Sequence, residues 1–201
     1  MRYAGPKVRL SRKLGIALTP KAQKYMERKP YPPGQHGPEK RRAKLSDYGR
    51  QLLEKQRLRF QYSVHERQLR RYLEEASRMS GNTADNLIQL LERRLDSVVL
   101  RAGFARTLYA ARQYVRHGHI EVNGKRVDIA SYRVNVGDVV RVREGSRRIV
   151  DIQEALRQAG QAPPYLEVSK ADFSARLLYV PPREEILVIC EVPMVVEFYS
   201  R

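Results

Sequence analysis

Between residues 93 and 143, two short amphipathic stretches run straight into an Asn-Gly pair flanked by extended residues; no other part of the chain narrows the fold as much. Asn123-Gly124 is the strongest kind of short hairpin signal, because the preferred two-residue turn needs positive φ at both central positions. Such a turn sets Ile120 opposite Val127 on the core side and Glu121 opposite Arg126 on the other face, a favourable cross-strand pair. A later strand repeats the alternation, with Val140 and Val142 inward and Arg141 and Arg143 outward. Upstream, Leu95, Val98, Val99 and Ala102 line a short helix that Gly103-Phe104 ends. Thr107 caps a second helix running to Arg116, with Gly118 after it. At roughly 100° per residue, Leu108, Ala111 and Val115 share one stripe, and Arg112, Arg116, Tyr109 and Gln113 fall on the neighbouring face. Arg112 and Arg116, four apart, repel by about 0.2–0.5 kcal/mol in isolation. A phosphate between them would reverse that sign.

The flanking sequence is mostly helical. Leu45, Tyr48, Leu52, Leu53 and Phe60 form a loose apolar stripe. Ser63-Val64-His65-Glu66 has the form of a capping box, with Ser63 as cap and Glu66 reaching back. Leu69, Tyr72, Leu73, Ala76 and Met79 follow at helical spacing, leaving Arg67, Arg70 and Arg71 off the stripe, and Gly81 stops that helix. Asn82 or Thr83 starts another, with Leu87, Ile88, Leu91 and Leu95 on its buried face. Residues 1–45 instead interleave ten prolines and glycines with Arg2, Tyr3, Arg9, Arg12, Tyr25, Tyr31 and His36. That pattern reads as an extended arm whose rings stack on unpaired bases and whose cations sit on phosphates. The expected fold is α+β: an extended basic arm over residues 1–45, a helical domain over 46–92 completed by the carboxy-terminal tail 158–201, and a small α/β RNA-binding domain over 93–157.

Charge limits function. The chain holds 39 Lys and Arg against 22 Asp and Glu, a net charge of +17. Solubility alone asks for a magnitude of about 2–8, so the excess points to a polyanionic partner. It is concentrated, with +13 in residues 1–60 and +7 in residues 93–157, against −1 and −2 in the other two stretches. Arginine supplies 29 of the cations, and its planar fork matches phosphate oxygens and base edges. No apolar run approaches the roughly 20 residues of a membrane helix. No secretory signal is expected from Met1 to Lys7, which lack an apolar core. Cys190, the one cysteine, allows neither an intramolecular disulfide nor a multi-cysteine zinc site and fits a reducing cytoplasm. It reads as buried core in a strand-like run rather than as a nucleophile.

The segments Arg-Leu-Asp-Ser-Val-Val-Leu-Arg-Ala-Gly-Phe-Ala-Arg-Thr (94–107), Ala-Arg-Gln-Tyr-Val-Arg-His-Gly-His-Ile (111–120) and Val-Asn-Gly-Lys-Arg-Val (122–127) resemble the S-four RNA-binding domain. Arg-Tyr-Ala-Gly-Pro-Lys (2–7), Tyr-Pro-Pro-Gly-Gln-His-Gly (31–37), Ser-Asp-Tyr-Gly-Arg-Gln-Leu-Leu-Glu-Lys-Gln (46–56), Glu-Arg-Gln-Leu-Arg-Arg-Tyr (66–72) and Val-Val-Glu-Phe-Tyr-Ser-Arg (195–201) extend the likeness end to end, to the S-four family of small-subunit ribosomal proteins. The resemblance implies a primary binder of small-subunit (16S-type) ribosomal RNA at the five-way junction of the 5′ domain, acting early in assembly. It implies a contact with ribosomal protein S-five that influences decoding accuracy, other small-subunit proteins as neighbours, a cytoplasmic ribosomal location and, as in some bacterial members, repression of its own messenger RNA. Several relatives carry a four-cysteine zinc site in the arm. Residues 1–45 have no cysteine, so the chain resembles the zinc-free form and no cofactor is expected.

The phosphate-contact candidates in the RNA-binding domain are Arg101, Arg106, Arg112, Arg116 and His117, with Gln113 and Asn123 adding hydrogen bonds. In the arm and helical domain they are Arg2, Tyr3, Arg9, Arg12, Tyr31, His36, Lys44, Arg50, Arg57, Arg67, Gln68, Arg70 and Arg71. Two other readings compete: a stand-alone RNA-binding regulator or ribosome-rescue factor, and an RNA-modifying enzyme using Asp96, whose Arg94-Leu95-Asp96 superficially matches pseudouridine synthases. Asp96 also sits where an acid favours a helix dipole, and only 44 residues follow position 157, too few for a catalytic domain. The motifs favour a binding protein without catalysis, with no membrane and no small-molecule substrate.

Overall fold

Proline fits a helix only in its first turn, and Pro20 opens one behind Thr19, whose hydroxyl accepts from the Ala22 amide. The computed structural model describes residue 3, residues 5–38 and residues 45–200. Within the segment expected to be extended lie two helices, α1 (Lys7–Leu14) and α2 (Pro20–Arg28). The arm is therefore partly folded: Leu10, Leu14 and Ile16 are buried together against Leu18, Leu53 and Phe60, a spacing that the surrounding Pro and Gly residues obscure in the sequence.

The chain divides into two units, the described residues of Met1–Ala84 with Val188–Arg201, and Asp85–Leu187. In the first, α1 and α2 are joined by α3 (Asp47–Gln61), α4 (Glu66–Arg78) and a carboxy-terminal helix, labelled α9 in chain order (Val192–Tyr199). Helix α3 turns a polar face inward, where Gln51, Glu54, Lys55 and Leu58 are buried. Leu45 and Tyr48, expected on its apolar stripe, are about half exposed. The reason is α9 and the residue before it: Gln51 Nε2 donates to Glu197 Oε2 at 2.9 Å, Glu54 accepts the Glu191 amide at 3.0 Å, and Lys55 Nζ lies over the Phe198 ring, 4.7 Å from its centre. Buried polar groups are tolerated when paired, and these partners lie far along the chain.

The capping box at Ser63 does not form. Ser63 adopts a left-handed φ of 48°, His65 is the residue before α4, and Glu66 accepts instead from Lys55, Arg59 and the Tyr199 hydroxyl. Helix α4 ends at Arg78 with Met79 as its cap, so Gly81 (φ 96°) lies beyond the helix end rather than at it. Burial pushes the Glu66 carboxyl up, but hydrogen bonds from Tyr199, Lys55 and Arg59 outweigh it and hold the group below its ordinary value. A carboxylate lowered by folding stabilises the protein above its unfolded pKa, and that gain is lost as pH falls through the folded value. Glu66→Gln is therefore expected to destabilise at neutral pH and to flatten the acid limb below about pH 4.5, read by unfolding against pH. An unchanged acid limb would contradict this role.

In the second unit, α5 (Thr83–Glu92, entering the unit at Asp85) precedes α6 (Leu95–Arg101), α7 (Leu108–Arg116), β1 (Ile120–Val122), β2 (Lys125–Arg126), β3 (Val139–Val142), α8 (Val150–Gln158), β4 (Leu166–Ser169) and β5 (Ser174–Leu177). Asn123 and Gly124 take φ 51° and 76°, and the hairpin register pairs Glu121 with Arg126 as the sequence predicts. The sheet is antiparallel in the order β2-β1-β3-β5-β4. Its inner side packs Ile120, Val122, Val140, Val142, Ala175 and Leu177 with Leu95, Val98 and Val99 of α6, Ala111 and Val115 of α7, and Ile152 and Leu156 of α8. Strands β4 and β5 fall in the tail assigned by sequence to the helical domain. Only residues 188–201 join the first unit; residues 158–187 extend the sheet, because β5 alternates inward Ala175 and Leu177 and pairs with β3. Cys190 is buried as expected, though not in a strand.

Candidate nucleic-acid interface

The second unit is organised around a carboxylate with no exposed surface. Asp96, in the first turn of α6, accepts from Arg94 at 3.0 and 2.8 Å, from Arg112 Nε at 2.9 Å and from the Ser97 amide at 3.1 Å. Arg94 and Arg112 are themselves buried. Two guanidinium groups clamp one carboxylate and tie α7 to α6. Arg112 is thus corrected: it faces Asp96 rather than a phosphate, and the bridge imagined between Arg112 and Arg116 has no geometry. The same clamp removes the enzyme reading, since Asp96 presents no surface to a substrate.

Arg116 lies one turn further on, at the end of α7, where the core no longer covers it. Arg116, His117 and Gln113 are exposed, and neither Arg116 nor His117 has an ion pair among the described residues. Gly118 follows with φ 74°. A Cβ there would lie 2.2 Å from Arg126 Nε and 2.5 Å from its Cζ, so glycine lets the Arg126 guanidinium lie against the backbone. Arg143 Nη1 donates to the Gly118 carbonyl at 3.4 Å and its Nε stands 3.4 Å from Glu121. The cross-strand carboxylate therefore goes to Arg143, and Arg126 stays exposed. His119 hydrogen-bonds Ser146 at 2.9 Å. Burial lowers its pKa, and the nearby His117, Arg143 and Arg126 lower it further. Three arginines and two histidines thus converge on Gly118 with Glu121 as the counter-charge among them, a field that attracts polyanions. Sequence reasoning missed Arg126, Arg143 and His119, although all lie inside the +7 stretch; only the strand register brings them to the helix end.

The remaining candidates of this unit are held by protein partners. Arg101 pairs with the buried Glu92 at 2.6 Å. Arg106 is exposed and stands 3.3 and 3.5 Å from Asp151 and Glu154, surface pairs worth little. Asn123 pins the turn, donating to Asp138 at 2.8 Å and accepting from the Val139 amide at 2.9 Å.

In the first unit, Arg67, Arg70 and Arg71 project from α4, exposed and without an ion pair among the described residues, beside the half-buried Gln68. Arg9 and His36 are exposed. Tyr3 lies edge-on to Phe60 at 5.5 Å. Arg12 is turned inward, donating to the Tyr31 carbonyl at 2.9 Å and lying over the Tyr31 ring. Arg57 donates to the Leu14 carbonyl at 2.8 Å and pairs with Glu54, and Arg50 pairs with Asp47. Arg2 and Lys44 lie outside the described residues.

Residues 2–92 match the family described as Ribosomal protein S4/S9 N-terminal domain, and residues 93–140 match the S4 domain. The chain is 55% identical over 199 residues to the small ribosomal subunit protein uS4 of Micrococcus luteus, covering 96% of this chain and 95% of the relative. The chain belongs to the uS4 family of small ribosomal subunit proteins. The uS4 protein of Thermobifida fusca is 48% identical over the full length of both chains, and that of Streptomyces avermitilis is 55% identical over 201 residues, 98% of this chain and 97% of the relative. The uS4 family is one of ribosomal structural proteins and not of enzymes, in keeping with the sealed Asp96. The matched S4 segment carries Arg116, His117, His119 and Arg126 of the Gly118 cluster, with Arg143 just beyond its end. Among the described residues, no helix is long and apolar enough to cross a membrane.

Proposed function

We propose that the chain is a primary binder of small-subunit ribosomal RNA at the 5′-domain helical junction, nucleating assembly there. The cluster of exposed cations around Gly118 carries this reading, because charges of one sign gathered at one helix end await an anionic partner. The exposed Arg67, Arg70 and Arg71 of α4 supply a second contact region in the first unit. Contact with ribosomal protein S-five, and through it an influence on decoding accuracy, belongs to the same proposal, as does repression of its own messenger RNA. The protein works in the cytoplasmic ribosome and needs no zinc: residues 1–45 have no cysteine, and Leu10, Leu14 and Ile16 supply a small apolar core in that segment. Sedimentation of lysate through a sucrose gradient in high salt, with mass spectrometry of the fractions, tests the proposal. One copy per small subunit is expected. A protein that washes off, or is strongly substoichiometric, would instead be a regulator built on the same domain.

A further inference from the structure

Away from the Gly118 cluster, the second unit has a recess of about 330 Å3 lined by Gln153, Leu156, Arg157, Lys170 and Phe173. Its walls combine two chemistries. Leu156 belongs to the apolar core and Phe173 packs partly against it, while Arg157 and Lys170 are exposed. Arg157 has no ion pair among the described residues. Lys170 Nζ donates to the Ala159 carbonyl at 3.2 Å, which fixes the ammonium while two of its protons remain for a ligand. The Arg147 guanidinium lies over the Phe173 ring, 5.7 Å from its centre. Gln153 commits its amide nitrogen to the Arg147 carbonyl at 2.9 Å, leaving its oxygen as an acceptor.

The backbone adds an independent observation. Phe173 sits at φ 53°, in the turn that closes the Ser169–Ser174 pair. Glycine adopts that conformation freely and a bulky residue does so at a cost. A ring is held where glycine would be easier, and it borders the recess.

We propose that this recess holds one unpaired nucleotide of an RNA strand, its base against Phe173 and Leu156 and its phosphate on Arg157 and Lys170. An aromatic beside paired cations binds single strands without reading sequence, and the Gln153 oxygen accepts from an exocyclic amine. The volume suits a single nucleotide, at the small end of the roughly 300–1,000 Å3 of ligand sites. The inference rests on the reading of the chain as an RNA binder.

Ultraviolet crosslinking of the full chain bound to small-subunit ribosomal RNA, with peptide mapping, tests it. A nucleotide adduct on the peptide containing Phe173 is expected. Arg157→Glu with Lys170→Glu, both at exposed positions, is expected to abolish that adduct and to make the salt dependence of RNA binding shallower by about one phosphate, a slope change of roughly 0.7–0.9. RNA bound without the adduct, or an adduct and slope unchanged in the double variant, overturns the proposal and leaves the ribosomal reading standing. A wild-type chain that binds no ribosomal RNA overturns both. A photoreactive adenosine monophosphate that labels the same peptide in the RNA-free chain, and is not displaced by RNA, assigns the recess to a soluble nucleotide and overturns the RNA-strand proposal.

Discussion

Arg112→Ala is expected to lower the unfolding free energy by about 3 kcal/mol, the low end of the roughly 3–5 kcal/mol measured when one partner of a buried ion pair is removed. Arg116→Ala, one turn along the same helix, should stay within about 0.5 kcal/mol, as surface substitutions do. The contrast follows from burial. Arg112 is 8% exposed and shares Asp96 with Arg94, whereas Arg116 is exposed. Removing Arg112 leaves a cavity and cuts the ion-pair tie between α7 and α6, while their shared apolar core remains and Arg94 still neutralises the carboxylate, which sets the size of the effect. Arg112→Lys should recover only part of the loss, since one ammonium cannot present the two donors of a guanidinium edge. Chemical denaturation of the full chain reads all three variants. If Arg112→Ala and Arg116→Ala prove equally stable, the clamp does not hold the helices together.

Arg116→Ala combined with Arg126→Ala should act in the opposite way, sparing stability and weakening the RNA complex. With about 8–12 phosphates neutralised, log K should fall against log salt with a slope of roughly −6 to −10. Each lost arginine–phosphate contact removes about 1 from that slope, so the double variant should be shallower by about 2. Affinity should fall across RNA sequences alike, because phosphate contacts position the protein without reading bases. Titrations at several salt concentrations with a 5′-domain junction fragment give both quantities. A slope unchanged from the parent would mean that these arginines face solvent in the complex.

The two experiments separate what local sequence shows from what it hides. Helix caps at Thr19 and Thr107, the left-handed Asn123-Gly124 turn and the Glu121–Arg126 register depend on neighbouring residues, and the last three could be read from the sequence. The inward face of α7 was legible for Leu108, Ala111 and Val115, but Arg112 belongs to it as well, because its partner Asp96 lies sixteen residues away. Periodicity counts arginine as polar and cannot register a buried counter-charge. The same blindness hid the Gln51, Glu54 and Lys55 face of α3, whose partners include Glu191 and Glu197. It also hid β4 and β5, four residues each, which gain meaning only beside β3. At the candidate interface, Arg116 and His117 were legible as exposed residues at a helix end. Arg126 and Arg143 were not, since their place beside Gly118 is set by the hairpin and by pairing with β3.

Helix α9 closes on α3 and α4 through side-chain bonds, Gln51 of α3 to Glu197 and the Tyr199 hydroxyl to Glu66 of α4 among them. During synthesis, every residue of the second unit is made before α9 exists. That unit, contiguous from Asp85 to Leu187, can fold as soon as it leaves the exit tunnel, in keeping with the tendency of domains to fold as units. The strongly cationic first sixty residues emerge earlier yet wait longest for their final partner. A nascent chain would thus hold an unfinished polycation until α9 has emerged, and the appearance of that one helix, rather than of the cationic segment itself, would decide when that half is complete.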